Sequence, residues 1–317
     1  MDQSQTHSDD GQTRAPVLIG VVVLLLCIAI SMVGLRILSR MRIKELGLDD
    51  LSAVIALMCI IGCGISMASS ALPLNLIVLA LATHEWTISE ERFVLYKRCF
   101  WISILFYMMS LVFLKLTFLF HYYRLMSVSN VRYVFLAAIA LVVAWAISQA
   151  IMAFVQCIPL QGVWDHRIHA KCIPNTVTLW YFNGVFNIVT DVAILLLPIP
   201  IVWKLELPRS QKILLTCIFG LGFFTVAVSI LRMQWLTPSP DVSWWNVTPA
   251  CWSLAELTSA LSCACLPTFR PLITGVQRFF AGGSKGDSVE RLQMEFGEPD
   301  SESNFTVVEV VSPAKRR

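Results

Sequence analysis

The stretch APVLIGVVVLLLCIAISMVGLRIL, residues 15–38, carries Arg36 as its one charged residue. A helix rises 1.5 Å per residue, so about 20 apolar residues cover roughly 30 Å of hydrocarbon, and this run is long enough to cross. It is too long for a cleavable signal peptide, its head carries Asp2, Asp9 and Asp10, and no small-x-small site follows. It is therefore expected to stay in the membrane as the first span. Working outward, further apolar runs predict spans at Leu51 to Leu72, Cys99 to Phe120, Val134 to Phe154, Leu179 to Val202, Ile213 to Leu236 and Pro249 to Ile273. The fold class this predicts is an all-α membrane protein, a seven-transmembrane-helix bundle. Residues 73–93 are apolar over too short a stretch to cross and then turn charged at His84, Glu85, Glu90, Glu91 and Arg92. They read as an outer loop with a piece lying on the membrane.

Composition agrees. Hydrophobic residues make up 56% of the 317 and charged ones 14%, against roughly 45–50% and 25% in soluble domains. Lipid is the expected partner of most of the surface. With a net charge of +3 and no basic run interleaved with aromatics, nucleic acid is excluded as a partner.

Lysine and arginine set the expected orientation. Arg36, Arg40, Arg42, Lys44, Arg124, Arg132, Lys204, Arg209, Lys212, Arg270 and Arg278 fall on one side, and Arg14, Arg92, Lys97, Arg98, Arg167 and Lys171 on the other. The richer side should be cytosolic, which puts residues 1–14 outside as a short extracytosolic N-terminus, residues 15–273 in the membrane and residues 274–317 in the cytosol. From about residue 282 the tail is rich in Gly, Ser, Glu and Asp, a composition that predicts disorder. The endoplasmic reticulum and the plasma membrane both fit this layout. Of two sequons, Asn246-Val247-Thr248 lies on the lumenal side and is the candidate glycosylation site, close as it is to a span and to Pro249; Asn304 is expected to carry no glycan.

Of the ten cysteines, most sit in spans, where reduced Cys packs as a small apolar group. Cys157 and Cys172 flank the loop CIPLQGVWDHRIHAKC on the oxidising side, where a disulfide can persist. Cys99, at the outer end of span 3, competes for either one. His166 and His169 lie nearby, yet no recognised zinc spacing is present, so no metal is expected.

Charged groups inside the bilayer cost roughly 2.5–3.5 kcal/mol on insertion scales, and each asks for a partner or a job. Asn183, Asn187 and Asp191 recur at i, i+4 and i+8 and so share one stripe of span 5, facing the bundle. Asp191 is either paired or protonated there; the stripe serves chemistry or acts as interhelical glue. Arg232 in span 6 and Glu256 in span 7 lie at similar depth and can form an ion pair. That pair is either a structural clasp or the outer mouth of a ligand cavity with Trp180, Tyr181 and Asn183. Lys115 is expected to snorkel to the cytosol, with Asp50 as the other partner within reach. Asp49 and Asp50 are expected to cap span 2, where acidic groups suit the helix dipole. Span 7 has no lysine, so a retinal Schiff base has no attachment point there. No phosphate loop, HExxH, nucleophile elbow or heme-attachment motif is present, and no cofactor is expected.

Several of these segments resemble those of the fungal rhodopsin-like integral membrane proteins typified by a member of the satratoxin toxin cluster. They are Asp49-Asp50, Lys115-Leu116-Thr117, Tyr122 with Arg124, CIPLQGVWD from Cys157 with Cys172, NIVTDVAILLLPIPIVWKL from Asn187, Ser229-Ile230-Leu231-Arg232, and Glu256 followed by CACLPTFRPL from Cys263. The resemblance implies a seven-helix fold in a filamentous fungus, often encoded beside secondary-metabolite pathways. Some relatives resemble G-protein-coupled receptors and carry a cysteine-rich domain before the first span, a feature not matched here. The chain also departs at LATH before His84 and at Leu51, where an aromatic is commoner.

Three functions follow as expectations. The first is a pathway protein that binds a hydrophobic small molecule among its helices and catalyses its cyclisation or isomerisation. Asp191 or Glu256 would be the proton donor, and Trp180, Tyr181, Trp245 and Trp252 the wall, with Asn183, Asn187 and Arg232 beside them. The second is a receptor for an extracellular small molecule, the reading under which a G protein becomes a partner. HYYRLM at the end of span 3 lacks an acidic residue before its arginine, which argues mildly against that coupling. The third is an exporter, disfavoured because only Pro198 and Pro200 interrupt a span.

Overall fold

The computed structural model describes residues 15–71, 90–125, 129–165, 167–174, 176–199, 209–234 and 246–269. Seven helices occur among these residues: α1 (Ala15–Ile43), α2 (Leu48–Ala71), α3 (Glu90–Leu125), α4 (Ser129–Val155), α5 (Thr176–Leu196), α6 (Arg209–Gln234) and α7 (Val247–Cys265). By length and composition α1 to α5 can each cross a membrane, and α6 carries a shorter apolar stretch, Ile218–Gln234. Large apolar side chains such as Val17, Leu24, Ile28, Tyr133, Ile147, Phe182, Val189 and Phe224 stand exposed. In water such a surface would drive aggregation; in lipid it is the ordinary outer face of a multi-pass membrane protein.

α1 and α7 run parallel. Near the C-terminal end of α1, Ser39 Oγ donates to Thr268 O at 2.8 Å and Arg36 Nη1 donates to Ala264 O at 2.7 Å, both at the far end of α7. An odd number of spans is what lets the first and last helices point the same way. Below, "outer" means the end where α1 begins and "inner" the end where it stops.

α3 packs on two sides. One core joins it to α1, α2 and α7 through Leu18, Val33, Ile60, Tyr107, Leu257 and Leu261; the other joins it to α4 and α5 through Leu119, Tyr122, Phe135, Val142 and Ile194. The Met233 thioether packs over Gly184, so that a Cβ there would require the Met233 side chain to move.

Several boundaries differ from those read in the sequence. The outer loop was expected to reach residue 93, but Glu90–Phe93 already belong to α3, whose 36 residues make a helix longer than a bilayer is thick. Its charged first turns can therefore extend past the hydrocarbon. Span 7 was expected to continue to Ile273, but α7 stops at Cys265 and passes into a 3-10 turn, Leu266–Phe269. Pro267 lacks an N–H and crowds the preceding turn, so the two prolines of span 5 are not alone in interrupting a span. Residues 72–89, Trp245, Asn304, the N-terminal 14 residues and the tail lie outside the described residues.

Candidate functional site

Two stripes with the same spacing build the middle of the bundle. Tyr107, Leu111 and Lys115 recur every fourth residue on α3, as Asn183, Asn187 and Asp191 do on α5, and both helices run from the outer end inward. Residues at this spacing lie one above the other on a helix face. Lys115 consequently meets the lower end of the α5 stripe. Its Nζ pairs with Asp191 Oδ1 and donates to Thr190 Oγ1 at 2.8 Å and to Asn187 O at 3.1 Å. The expectation that Lys115 snorkels or reaches Asp50 is corrected here: three acceptors in the bundle outweigh a reach to the interface, and Asp50 is taken by Arg36.

Glu256 of α7 is 1% exposed and collects donors from three helices. Tyr107 Oη donates to Oε2 at 2.6 Å, Ser229 Oγ donates to Oε1, and Asn187 Nδ2 approaches Oε1 at 3.5 Å. Arg232 Nε stands 3.1 Å from Oε2 as an ion pair, yet that N–H makes no hydrogen bond. The Arg232 guanidinium also lies over the Tyr107 ring, 4.8 Å from its centroid. Asn187 links the pairs by donating to Asp191 Oδ2 at 3.2 Å as well. Lys115, Asp191, Asn187, Glu256 and Arg232 thus form one chain of polar contacts whose four charges sum to zero. Every described group within hydrogen-bond reach of the Glu256 carboxylate is a donor.

Above this chain lies a cavity of about 440 Å³, within the roughly 300–1,000 Å³ usual for small-molecule sites. Met67, Tyr96, Phe100, Trp101, Trp180 and Met233 supply apolar wall, with Asn183, Asn187 and Arg232 toward its floor. Trp180, Asn183, Asn187 and Arg232 line this cavity. Tyr181 and Trp252 are not on this wall. A second, mostly apolar cavity of about 230 Å³ lies between α3, α4 and α5, bordered by Trp145, Phe186 and Lys115. A pocket of about 50 Å³ sits below, against Asp191 and Glu256.

The outer loop roofs the large cavity. Cys157 and Cys172 are joined in a disulfide and face each other across a two-strand ladder of β1 (Cys157–Ile158) and β2 (Lys171–Cys172); Cys99 stays free. Gln156 and Val163 of this region reach the cavity. Trp164 packs on Trp101 with ring centroids 5.7 Å apart, and Arg167 Nη2 meets Glu90 Oε2 at 2.8 Å. That hydrogen bond raises the Arg167 pKa above its ordinary value. Asn246 turns inward at the start of α7, where its Nδ2 donates to Tyr96 Oη at 2.8 Å and the residue lines the cavity.

A further charge cluster closes the inner end. Arg36, 0% exposed, donates from Nη2 to Asp49 Oδ2 at 2.6 Å and from Nε to Asp50 Oδ1 at 2.8 Å, besides its bond to Ala264. Arg40 joins at Asp49 with His121 beside it, and Arg124 Nη1 donates to Glu45 O at 2.8 Å. Asp50 Oδ2 also accepts the Gly47 N–H at 3.0 Å, so Asp50 caps the start of α2 while Asp49 and Asp50 both serve as partners for arginine. Reading Arg36 as a flanking cytosolic charge missed this, and so did leaving Tyr107, Ser229 and Thr190 out of the central site. The available signal was a shared helix face: Tyr107 lies eight residues before Lys115, Ser229 three before Arg232, and Thr190 three after Asn187.

The profile of the Fungal rhodopsin domain matches residues 35–275, three quarters of the chain, and the protein belongs to that family. It is similar to Receptor GIN3 of Arthrobotrys oligospora, with 28% identity over 50% of this chain and 39% of the relative. Similarity extends to Wortmanamides biosynthesis cluster protein C of Talaromyces wortmannii, 25% identical over 78% of this chain and 68% of the relative. A third relative is Satratoxin biosynthesis SC1 cluster protein 4 of Stachybotrys chartarum, 26% identical over 53% of this chain and 62% of the relative. The match to the receptor thus spans well under half of that protein's length.

Proposed function

We propose that this protein serves a fungal secondary-metabolite pathway by binding a hydrophobic small molecule in the outer half of its helix bundle. The observation that carries the reading is the roofed cavity of about 440 Å³, with aromatic walls and a polar floor. Relatives named for biosynthesis clusters support the pathway setting. The lysine and arginine bias supports an N-terminus outside and a C-terminus in the cytosol, in the endoplasmic reticulum or plasma membrane.

Binding is the part the geometry favours. Catalysis of cyclisation or isomerisation by Asp191 or Glu256 requires one carboxyl to take up a proton amid donors, after a partner has moved. Deleting the gene and profiling metabolites tests the pathway role: a missing product or an accumulated apolar intermediate is expected, and an unchanged profile sinks it. Complementation with Asp191→Asn and Glu256→Gln then separates the steps. Full product from both variants removes the catalytic version and leaves binding.

The receptor reading is favoured by one relative's name, Receptor GIN3. Under it the cavity takes an extracellular ligand and a G protein meets the inner loops. Co-purification with a G protein in a ligand-dependent manner distinguishes it from a pathway role.

A further inference from the structure

We propose that the outer cavity selects hydrophobic acids, its ligand being an aliphatic or polyene carboxylate whose head group docks on Arg232. The inference rests on the small-molecule reading above and narrows its ligand class.

Charge around the cavity is one-sided. Among the described lining residues the charged ones are Lys97 and Arg232, both cations, and no carboxylate is present. Glu256 stands behind Arg232 rather than in the wall, and its two oxygens are already occupied by Tyr107, Ser229 and Asn187. The Arg232 side chain is only 14% exposed. A guanidinium carries five N–H donors; here Nε is unaligned, and the terminal nitrogens make no hydrogen bond to a described residue. Stacking over Tyr107, itself a lining residue, holds the guanidinium at the cavity.

Buried donors without acceptors are unfavourable unless something fills the gap. A carboxylate matches the guanidinium fork with two parallel charge-assisted bonds, whereas a neutral carbonyl accepts more weakly and without the charge. A cationic ligand meets the like charge of Arg232 in a poorly solvated space. Tyr96, Phe100, Trp101 and Trp180 offer an apolar bed for the body of such an acid, and Asn183 and Asn246 add amide donors near its path.

The test uses the full chain in nanodiscs of zwitterionic lipid, with cis-parinaric acid as fluorescent probe, energy transfer from tryptophan as readout and empty nanodiscs as background. Lauric acid is expected to displace the probe at concentrations at least about tenfold below methyl laurate, a gap of about 1.4 kcal/mol, and dodecylamine not at all. Arg232→Gln should erase that preference, while Trp180→Ala should weaken acid and ester alike. Should Arg232→Gln fail to fold, the paired change Arg232→Gln with Glu256→Gln removes both charges together and carries the same expectation. Equal displacement by acid and ester, or full preference retained in the Arg232 variants, overturns the acid assignment and leaves the cavity reading standing. No probe signal above empty nanodiscs overturns the acid assignment.

Discussion

Arg36 at the inner end and Arg232 in mid-bundle are both enclosed by helices, yet they are satisfied differently. Arg36 spends all three guanidinium nitrogens on Asp49, Asp50 and the Ala264 carbonyl. Arg232 touches one carboxylate edge without a hydrogen bond from Nε and borders a cavity. A saturated arginine closes a seam; one with spare donors keeps recognition capacity. Burial alone does not tell a structural charge from a functional one, but the count of used donors does.

The sharpest way to break this contrast is Arg36→Met. It takes the fully buried cation from two acidic groups, and breaking a buried pair costs about 3–5 kcal/mol, so the variant should lose its monodisperse peak in fluorescence-detected size exclusion. Arg232→Gln should do visibly less harm in the same assay, because Glu256 keeps Tyr107, Ser229 and Asn187. The reverse order would exchange the roles assigned to the two arginines. Next, removing both Cys157 and Cys172 should cost about 2–4 kcal/mol, read as a lower Tm in detergent, while the unmutated chain should gain two alkylatable thiols only after reduction. The Lys115 and Asp191 pair should show a coupling of roughly 0.5–3 kcal/mol in a double-mutant cycle of Lys115→Met and Asp191→Asn, the double variant being more stable than the singles sum to. Smallest of all, Arg167→Ala should leave Tm unchanged, since its pair with Glu90 is exposed.

Much of this was legible before any coordinates. Long apolar runs report helices that must satisfy their own backbone in lipid, and the stripe of Asn183, Asn187 and Asp191 announces an inward face by spacing alone. Partners were harder. Spacing says that Lys115 faces inward with Tyr107, but not which helix stands opposite, so its meeting with Asp191 needed the packing. Met67, Tyr96, Phe100 and Trp101 gave no signal, because an aromatic lining a cavity has the same composition as one in a core or against lipid. Trp180 and Tyr181 differ by one position, which is enough to put one on the cavity wall and the other off it. Arg36 was misplaced for a similar reason: a bias of positive charge toward one face records which side a residue is near, not whether a carboxylate waits for it.

The bond from Arg36 to Ala264 spans 228 residues, so the first helix leaves the ribosome long before its last acceptor is made. Until α7 is inserted, that guanidinium has no carbonyl there to complete its shell. Nonsense truncations that end upstream of Ala264 should therefore be degraded during biogenesis rather than persist as six-helix fragments, and a separately expressed α7 segment should rescue them.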